Sequence, residues 1–153
     1  MDYQIDVLKV EAQKILVIHS VVKPEEVSNE LAKDIPLVAD YIKKHNIAAS
    51  NTPLAHYLQY EPPKPVEMET GYAVAGVNAG EGDIVLRDLP AGRAAVTMHI
   101  GPYETSGAAY QAIHAWMDKS GEKPGGAPWE VYLNSPTQVA PAALKTVIYY
   151  PLK

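Results

Sequence analysis

An internal repeat constrains the fold of this chain more than any other feature. The segment TPLAHYL at 52–58 aligns with APWEVYL at 127–133, offset by 75 residues, and 12–18 aligns with 91–97, offset by 79. Such self-similarity indicates two copies of one supersecondary unit. A chain of 153 residues suits one domain. We therefore predict a single domain, with repeat 1 at about 1–80 and repeat 2 at about 81–153.

Each copy is predicted to form a strand, a helix and two further strands. The predicted strands and helices, in chain order, are 13–22, helix 23–46, 54–60, 71–77, then 92–100, helix 101–121, 129–134 and 144–152. Runs of β-branched residues indicate the strands, and apolar residues at helical spacing indicate the helices. Pro24 and Pro102 suit helix starts, and Pro36 is expected to interrupt or kink the first helix. The segment EPPKPVEME at 61–69 is interpreted as a Pro-rich turn or extended link.

This pattern predicts an α+β fold of two βαββ repeats with antiparallel sheets and pseudo-two-fold symmetry. Each helix should cover one face of its own sheet, because both elements have an apolar side to bury. A ligand groove is expected between the repeats. Exposed edge strands leave a homodimer open.

Composition narrows the classes of function. The formal charge of −5 argues against direct binding of nucleic acid. The absence of cysteine excludes disulfides and thiolate sites. Residues 1–20 lack the apolar core of a signal peptide and no apolar run is long enough to span a bilayer, so a cytoplasmic protein without membrane contact is expected. The histidines lack metal-ligand spacing and no Gly-rich phosphate loop occurs, so neither metal nor cofactor is expected.

The predicted strand PWEVYL carries a carboxylate among apolar and aromatic neighbours. Burying an unpaired carboxylate is costly, so Glu130 must be solvated, paired, or poised for an external partner. Side chains alternate along a strand, which places Trp129, Val131 and Leu133 on one face. That face is expected to pack under the helix. Glu130 and Tyr132 share the other face, which we assign to the groove.

Tyrosines are expected to surround Glu130. By the repeat, Tyr57 matches Tyr132, whereas Ala55 stands where the second copy has Glu130. The chain has ten Tyr, two Trp and no Phe, so every aromatic ring carries a polar group. A carboxylate among aromatic rings favours a delocalised organic cation, through Coulomb attraction and cation–π contact. A carboxylate satisfied by a neighbouring hydroxyl is the alternative.

The segments LPAGRAAVTMHIGPYE and PWEVYLNSP, together with the double repeat, resemble the GyrI-like small-molecule-binding domain. This domain is the effector-binding module of AraC-type and multidrug-responsive regulators. The resemblance covers nearly the whole chain and is strongest over 71–151. It implies that Glu130 contacts cationic aromatic ligands in a groove walled by Tyr57 and Tyr132. It also places a groove aromatic at Tyr103. His99, just before the Gly-Pro turn, is a further candidate, which either orients Tyr103, serves as a proton carrier or has a structural role in the turn.

The resemblance implies three alternative functions. The first is a stand-alone protein that binds amphipathic, cationic aromatic compounds for drug sensing or sequestration, with Glu130 as the anchor. The second is a hydrolase of electrophilic cyclopropyl compounds, in which Glu130 would be catalytic. The third is a protein that interacts with DNA gyrase. The regulators carry a DNA-binding segment before this domain, whereas here the resemblance begins near residue 1. Any role in regulation is therefore expected to need a separate partner.

Overall fold

The computed structural model describes residues 3–153, which form two compact units. The central unit is Ala12–Pro90, and the terminal unit combines residues 3–11 with Ala91–Lys153. Each unit contains one strand–helix–strand–strand order, as the repeat predicts. The units differ from the repeat boundaries drawn on the sequence, because β1 (Asp6–Val10) pairs with β7 (Gly92–Ile100) of the second repeat.

The central unit is an antiparallel sheet with one helix. Its elements are β2 (Gln13–Val22), α1 (Val27–Lys44), β3 (Ala48–Ala49), β4 (Leu54–Gln59), β5 (Val66–Ala75) and β6 (Ile84–Leu89). The strands run in the order β4-β5-β2-β6, and the short β3 also pairs with β5. Ile15, Leu16, Val17 and Met68 are completely buried in this sheet. The sheet thus provides the core against which α1 packs.

Helix α1 buries one stripe of side chains, which contains a carboxylate as well as apolar groups. Its buried residues Val27, Leu31, Asp34 and Val38 recur every three or four positions, the spacing of one helical face. The helix continues through Pro36, so the predicted interruption is wrong. Packing of the buried stripe on both sides of the proline outweighs the one backbone hydrogen bond that proline removes.

The terminal unit repeats this arrangement. Its further elements are α2 (Gly107–Ser120), β8 (Trp129–Tyr132) and β9 (Lys145–Pro151), and its strands run in the order β1-β7-β9-β8. A 3-10 turn at Tyr103–Thr105 leads into α2, which ends at Gly121 with a φ of 77°, the left-handed conformation that glycine adopts most readily. Ile113 and Met117 of α2 pack with Ile148 of β9 in the core.

The structure adds strands that were not predicted. Strands β1, β3 and β6 are new, and β1 and β6 each lie at an edge of their unit's sheet. Strand β5 begins at Val66, so the last four residues of the segment interpreted as a Pro-rich turn or link, 66–69, pair with β2 instead. None of the helices within residues 3–153 has the length and apolar character needed to cross a bilayer.

Candidate functional site

Glu130 lies on the face of the terminal sheet that α2 covers. In the register of β8 and β9, Glu130 is opposite Ile148, which packs against Ile113 of α2. The predicted orientation of β8 is therefore wrong: the Trp129 face does not pack under the helix. Trp129 instead stacks on Tyr149 with ring centroids 5.1 Å apart and planes at 4°, while Leu133 remains 43% exposed. The helix thus covers the carboxylate rather than the apolar face of the strand.

Two phenol groups satisfy the buried carboxylate. Glu130 is only 6% exposed. The Tyr110 hydroxyl of α2 donates to Oε2 at 2.6 Å, and the Tyr132 hydroxyl, two residues along the strand, donates to Oε1 at 3.0 Å. Hydrogen bonds to an ionised acceptor are about twice as strong as neutral ones. Both carboxylate oxygens are therefore held by O–H donors from two different elements.

The protonation of Glu130 is a balance between burial and these phenols. Removal from water raises the pKa of Glu130, because burial penalises the charged form. The hydrogen bonds from Tyr110 and Tyr132 act in the opposite direction, and burial is the larger effect. The phenols thus keep the anion more accessible than it would be in an apolar cavity.

Further aromatic rings extend this cluster. Tyr103 of the 3-10 turn lies against Tyr132, with ring centroids 5.2 Å apart and planes at 57°. Burial, and then the negative charges of Glu130 and Glu104, raise the pKa of the Tyr103 phenol. The rings of Tyr110 and Tyr150 form a T-shaped pair, with ring centroids 6.3 Å apart and planes at 69°. We call Tyr103, Tyr110, Tyr132 and Tyr150 the aromatic shell of Glu130.

His99 is tied into the protein at both ring nitrogens. It is 2% exposed, and its Nδ1 lies 2.8 Å from the Tyr3 hydroxyl. Its Nε2 lies 3.0 Å from Thr105 Oγ1 and 3.1 Å from the Pro102 carbonyl. Because Thr105 Oγ1 donates its own hydrogen to that carbonyl, these contacts fit the imidazole tautomer that donates from Nε2 and accepts at Nδ1. His99 thereby fixes the turn that carries Tyr103.

Tyr57 belongs to the central unit. It lies on β4 opposite Met68 of β5 and is 5% exposed. Its ring forms a T-shaped pair with the ring of Tyr60, and the two ring centroids are 5.5 Å apart. Of the residues predicted for the site, the terminal unit brings together Glu130, Tyr132 and Tyr103. The role of Tyr57 as a groove wall stays a prediction.

Tyr110 and Tyr150 were missed as members of the site. Tyr110 was assigned only to the apolar stripe of the second helix, and Tyr150 only to the last strand. The signal that could have found Tyr110 is its place on a core-facing stripe, three residues before Ile113, in a chain without Phe. A buried tyrosine hydroxyl needs a partner, and the carboxylate of the same unit supplies it.

A second buried carboxylate, Asp34 of α1, was also missed. It is fully buried in the central unit, and the Ser20 hydroxyl of β2 lies 3.2 Å from its Oδ2 and 3.0 Å from Oε2 of Glu30. Burial, and then the hydrogen bond and charge of Glu30, raise the pKa of Asp34 to about 7. The same hydrogen bond lowers the pKa of Glu30, so the proton of the pair resides on Asp34.

Among residues 3–153, no group of three or more His, Asp or Glu side chains is arranged to hold a metal ion.

The sequence model of the GyrI-like small molecule binding domain matches residues 3–153. No curated protein matches the chain.

Solved structures share the fold. The C-terminal domain of EcmrR is 22% identical, with a TM-score of 0.87, and covers 100% of this chain and 99% of its own. In the EcmrR–DNA complex the match has a TM-score of 0.85 at 22% identity and covers 99% of this chain but 57% of EcmrR. SAV2435 bound to tetraphenylphosphonium is 12% identical, with a TM-score of 0.59, and the match covers 100% of this chain and 94% of SAV2435. A hydrolase from Listeria innocua is 14% identical, with a TM-score of 0.69, and the match covers 98% of this chain and 92% of the hydrolase.

Proposed function

Because the chain belongs to the family of GyrI-like small-molecule-binding domains, we propose that it binds amphipathic, cationic aromatic compounds and serves drug sensing or sequestration. Glu130 is the anionic anchor, and the aromatic shell provides the walls. The observation that carries the proposal is a carboxylate 6% exposed whose contacts, within residues 3–153, are phenols rather than Lys or Arg.

The electrostatics of such a site favour a positive ligand. A buried carboxylate without a cationic partner retains its negative potential, and a low-dielectric surrounding strengthens its attraction for a positive charge. Ring faces add about 0.5–2 kcal/mol each by cation–π contact. A large apolar cation also loses little hydration on entering. The tetraphenylphosphonium complex of SAV2435, a protein of the same fold, supports this class of ligand.

The regulatory setting is a second part of the proposal. EcmrR binds DNA as a protein of which this chain spans 57%, so we assign the ligand-binding task, and not the DNA contact, to residues 1–153. A DNA-bound relative also supports the cytoplasm as the setting. A homodimer formed through the sheet edges stays part of the proposal, whereas direct binding of nucleic acid does not, because the chain carries a charge of −5.

Glu130→Gln tests the anchor, because the amide keeps the size of the side chain but removes its charge. Calorimetry and thermal unfolding are measured with tetraphenylphosphonium. We expect wild type to be stabilised by ligand and the variant to bind at least about tenfold more weakly, since ligand binding raises the melting temperature by mass action. Asp34→Asn is the matched control: it makes the same acid-to-amide change at a buried carboxyl group outside the aromatic shell and should leave binding intact.

Two results would overturn this proposal. If Glu130→Gln binds the phosphonium as tightly as wild type does, the carboxylate is not the anchor. If the compounds that stabilise wild type are consumed, and this turnover disappears in Glu130→Gln, the protein is an enzyme. The resemblance of fold to a Listeria hydrolase does not favour that outcome by itself. A supercoiling assay with purified gyrase checks the remaining alternative, and no inhibition is expected.

A further inference from the structure

We propose that this site distinguishes cations by their hydrogen-bonding capacity, preferring quaternary ammonium and phosphonium ions to protonated amines of the same size, and that Tyr110 and Tyr132 set this preference. This inference rests on the proposed function, because it concerns the ligand class of the same site. It adds a specificity rule that the presence of a carboxylate does not supply, since most carboxylate sites bind N–H donors well.

The first argument is that O–H donors already occupy both oxygens of Glu130. Tyr110 donates to Oε2 at 2.6 Å and Tyr132 to Oε1 at 3.0 Å. A protonated amine gains most of its affinity for a carboxylate from short, charge-assisted N–H···O bonds. To form one here, it must displace a phenol or share an oxygen with it. A displaced phenol would lose its partner in a buried position, which is costly.

The second argument concerns what a ligand meets on its way to the charge. Glu130 is 6% exposed, and Tyr103 packs against Tyr132 with ring centroids 5.2 Å apart. A cation therefore approaches ring surfaces before carboxylate oxygens. The charge of Glu130 nevertheless reaches these rings, because it contributes to the raised pKa of the Tyr103 phenol. Recognition of charge through the rings requires no N–H group on the ligand.

The third argument is the balance of hydration. An ammonium group with N–H donors is strongly hydrated, and entering an aromatic site without new acceptors leaves those donors unsatisfied. A quaternary ion has no such donors and spreads its charge over apolar substituents, which suits cation–π contact. A phenol that donates to a carboxylate is also polarised by it, which strengthens the negative face of its ring.

A matched pair of ligands tests this inference. The probes are N,N-dimethyl-(2-naphthylmethyl)amine, which carries one N–H when protonated, and its N-methylated quaternary salt. The two cations share the ring and the charge. Burial of the extra methyl group alone favours the quaternary salt by about fourfold. We expect a preference of about twentyfold or more in wild type, because the unsatisfied N–H adds to that difference.

The decisive measurement is the ratio of the two affinities in Tyr110→Phe, measured by calorimetry at pH 7. The variant keeps the ring and frees Oε2 to accept an N–H, so the ratio should fall to about fourfold or less. The ratio is the readout because loss of the phenol also raises the pKa of Glu130 and weakens both cations together. Tyr132→Phe provides an independent second variant. Tyr149→Phe is the control, because Tyr149 stacks on Trp129 on the opposite sheet face, and its ratio should match wild type.

The outcomes separate this inference from the proposed function. If both cations bind wild type within about fourfold of each other and Glu130→Gln weakens both, the anchor stands and the specificity rule is overturned. The rule also fails if Tyr110→Phe and Tyr132→Phe both keep the wild-type ratio. If neither cation nor tetraphenylphosphonium binds wild type, the proposed function itself fails. A ratio that falls in both phenol variants and not in Tyr149→Phe supports the rule.

Discussion

The two units of this protein each bury a carboxylate between a helix and a sheet, but they surround it differently. In the terminal unit, Glu130 extends from a strand and accepts hydrogen bonds from two phenols, one of them on the helix. In the central unit, Asp34 extends from the helix toward Ser20 of β2, with a second carboxylate, Glu30, beside it. Each unit thus buries an acid between its helix and its sheet, but the acid belongs to a strand in the terminal unit and to the helix in the central unit.

The neighbours of the two acids modify the effect of burial in opposite directions. Burial raises the pKa of both groups. Phenol donors partly reverse this effect at Glu130, because their hydrogen bonds favour its anion. A like charge reinforces it at Asp34, which therefore holds a proton up to about pH 7. Donors that favour the anion therefore face the acid of the terminal unit, whereas a like charge that favours the protonated form faces the acid of the central unit.

The largest expected effect concerns the pH dependence of ligand binding. Because burial raises the pKa of Glu130, the carboxyl is protonated at low pH and its attraction for cations is lost. Below that pKa, the affinity of wild type for tetraphenylphosphonium should fall about tenfold for each pH unit. Calorimetry from pH 5 to pH 8 in buffers of different ionisation enthalpy measures both affinity and proton release. Asp34→Asn should show the same profile, and a flat wild-type profile would remove the comparison.

The next effect is on stability and tests the acid of the central unit. The pKa of Asp34 is about 7 in the folded chain against 3.8 as the reference value, so the folded state holds the proton more tightly. The stability due to this proton is complete below about pH 4 and is lost as the pH rises through 7. Asp34→Asn mimics the protonated acid and lacks this loss. In urea unfolding it should exceed wild type by about 2 kcal/mol at pH 8, and by much less at pH 5. Equal destabilisation at both values would contradict the pairing with Glu30.

Removal of the shared hydroxyl should have a smaller effect. The Ser20 hydroxyl lies within hydrogen-bond distance of both acids of the central unit. Ser20→Ala should lower the free energy of unfolding by about 1.5 kcal/mol at pH 8, because a buried acceptor loses its donor. The loss should be smaller at pH 5, where the proton on Asp34 itself bridges the pair. Urea unfolding of the variant at both pH values measures the difference, and a pH-independent loss would show that Ser20 acts through packing alone.

The smallest effect separates phenols that bind the anchor from phenols that support the fold. Tyr3 donates to Nδ1 of His99 rather than to a carboxylate. Tyr3→Phe should cost about 0.5–1 kcal/mol of stability, the value of one neutral hydrogen bond. The affinity for tetraphenylphosphonium should change by less than about twofold, since Glu130 keeps both donors. A larger loss of affinity would mean that His99 positions Tyr103 for the ligand more strictly than this geometry implies.

The architecture of each unit could be predicted because the repeat doubles a weak signal. The strand–helix–strand–strand order appears in both copies and is confirmed in both. The edge strands β1 and β6 could not be predicted in the same way. β1 is short and carries two charges, and its partner β7 is more than 80 residues away, so no local pattern reveals the pairing. The strand predicted at 71–77 starts later than β5 does, because the prolines before Val66 obscure the start of the strand.

The candidate site was only partly predictable from the sequence. Glu130, Tyr103 and Tyr132 could be named from strand position and from the family resemblance. The face of β8 could not, because an apolar row beginning at Trp129 is normally the one under a helix; here it packs on Tyr149 instead. Asp34 was invisible because two acids four residues apart on a helix usually indicate a solvated surface. Only the tertiary contact with Ser20 shows that this one is buried.

The origin of β1 in the terminal unit has a consequence for biosynthesis. The central unit is one continuous segment, Ala12–Pro90, whereas β1 precedes it and can pair only after β7 has been made. At about 5–20 residues per second, this strand waits on the order of several seconds with its backbone unpaired. Val7 and Leu8 remain 43% and 46% exposed even after pairing, so the waiting strand offers an apolar edge to other nascent chains. The yield of folded protein should therefore depend on the rate of translation through Ala12–Pro90, which expression at different translation rates would measure.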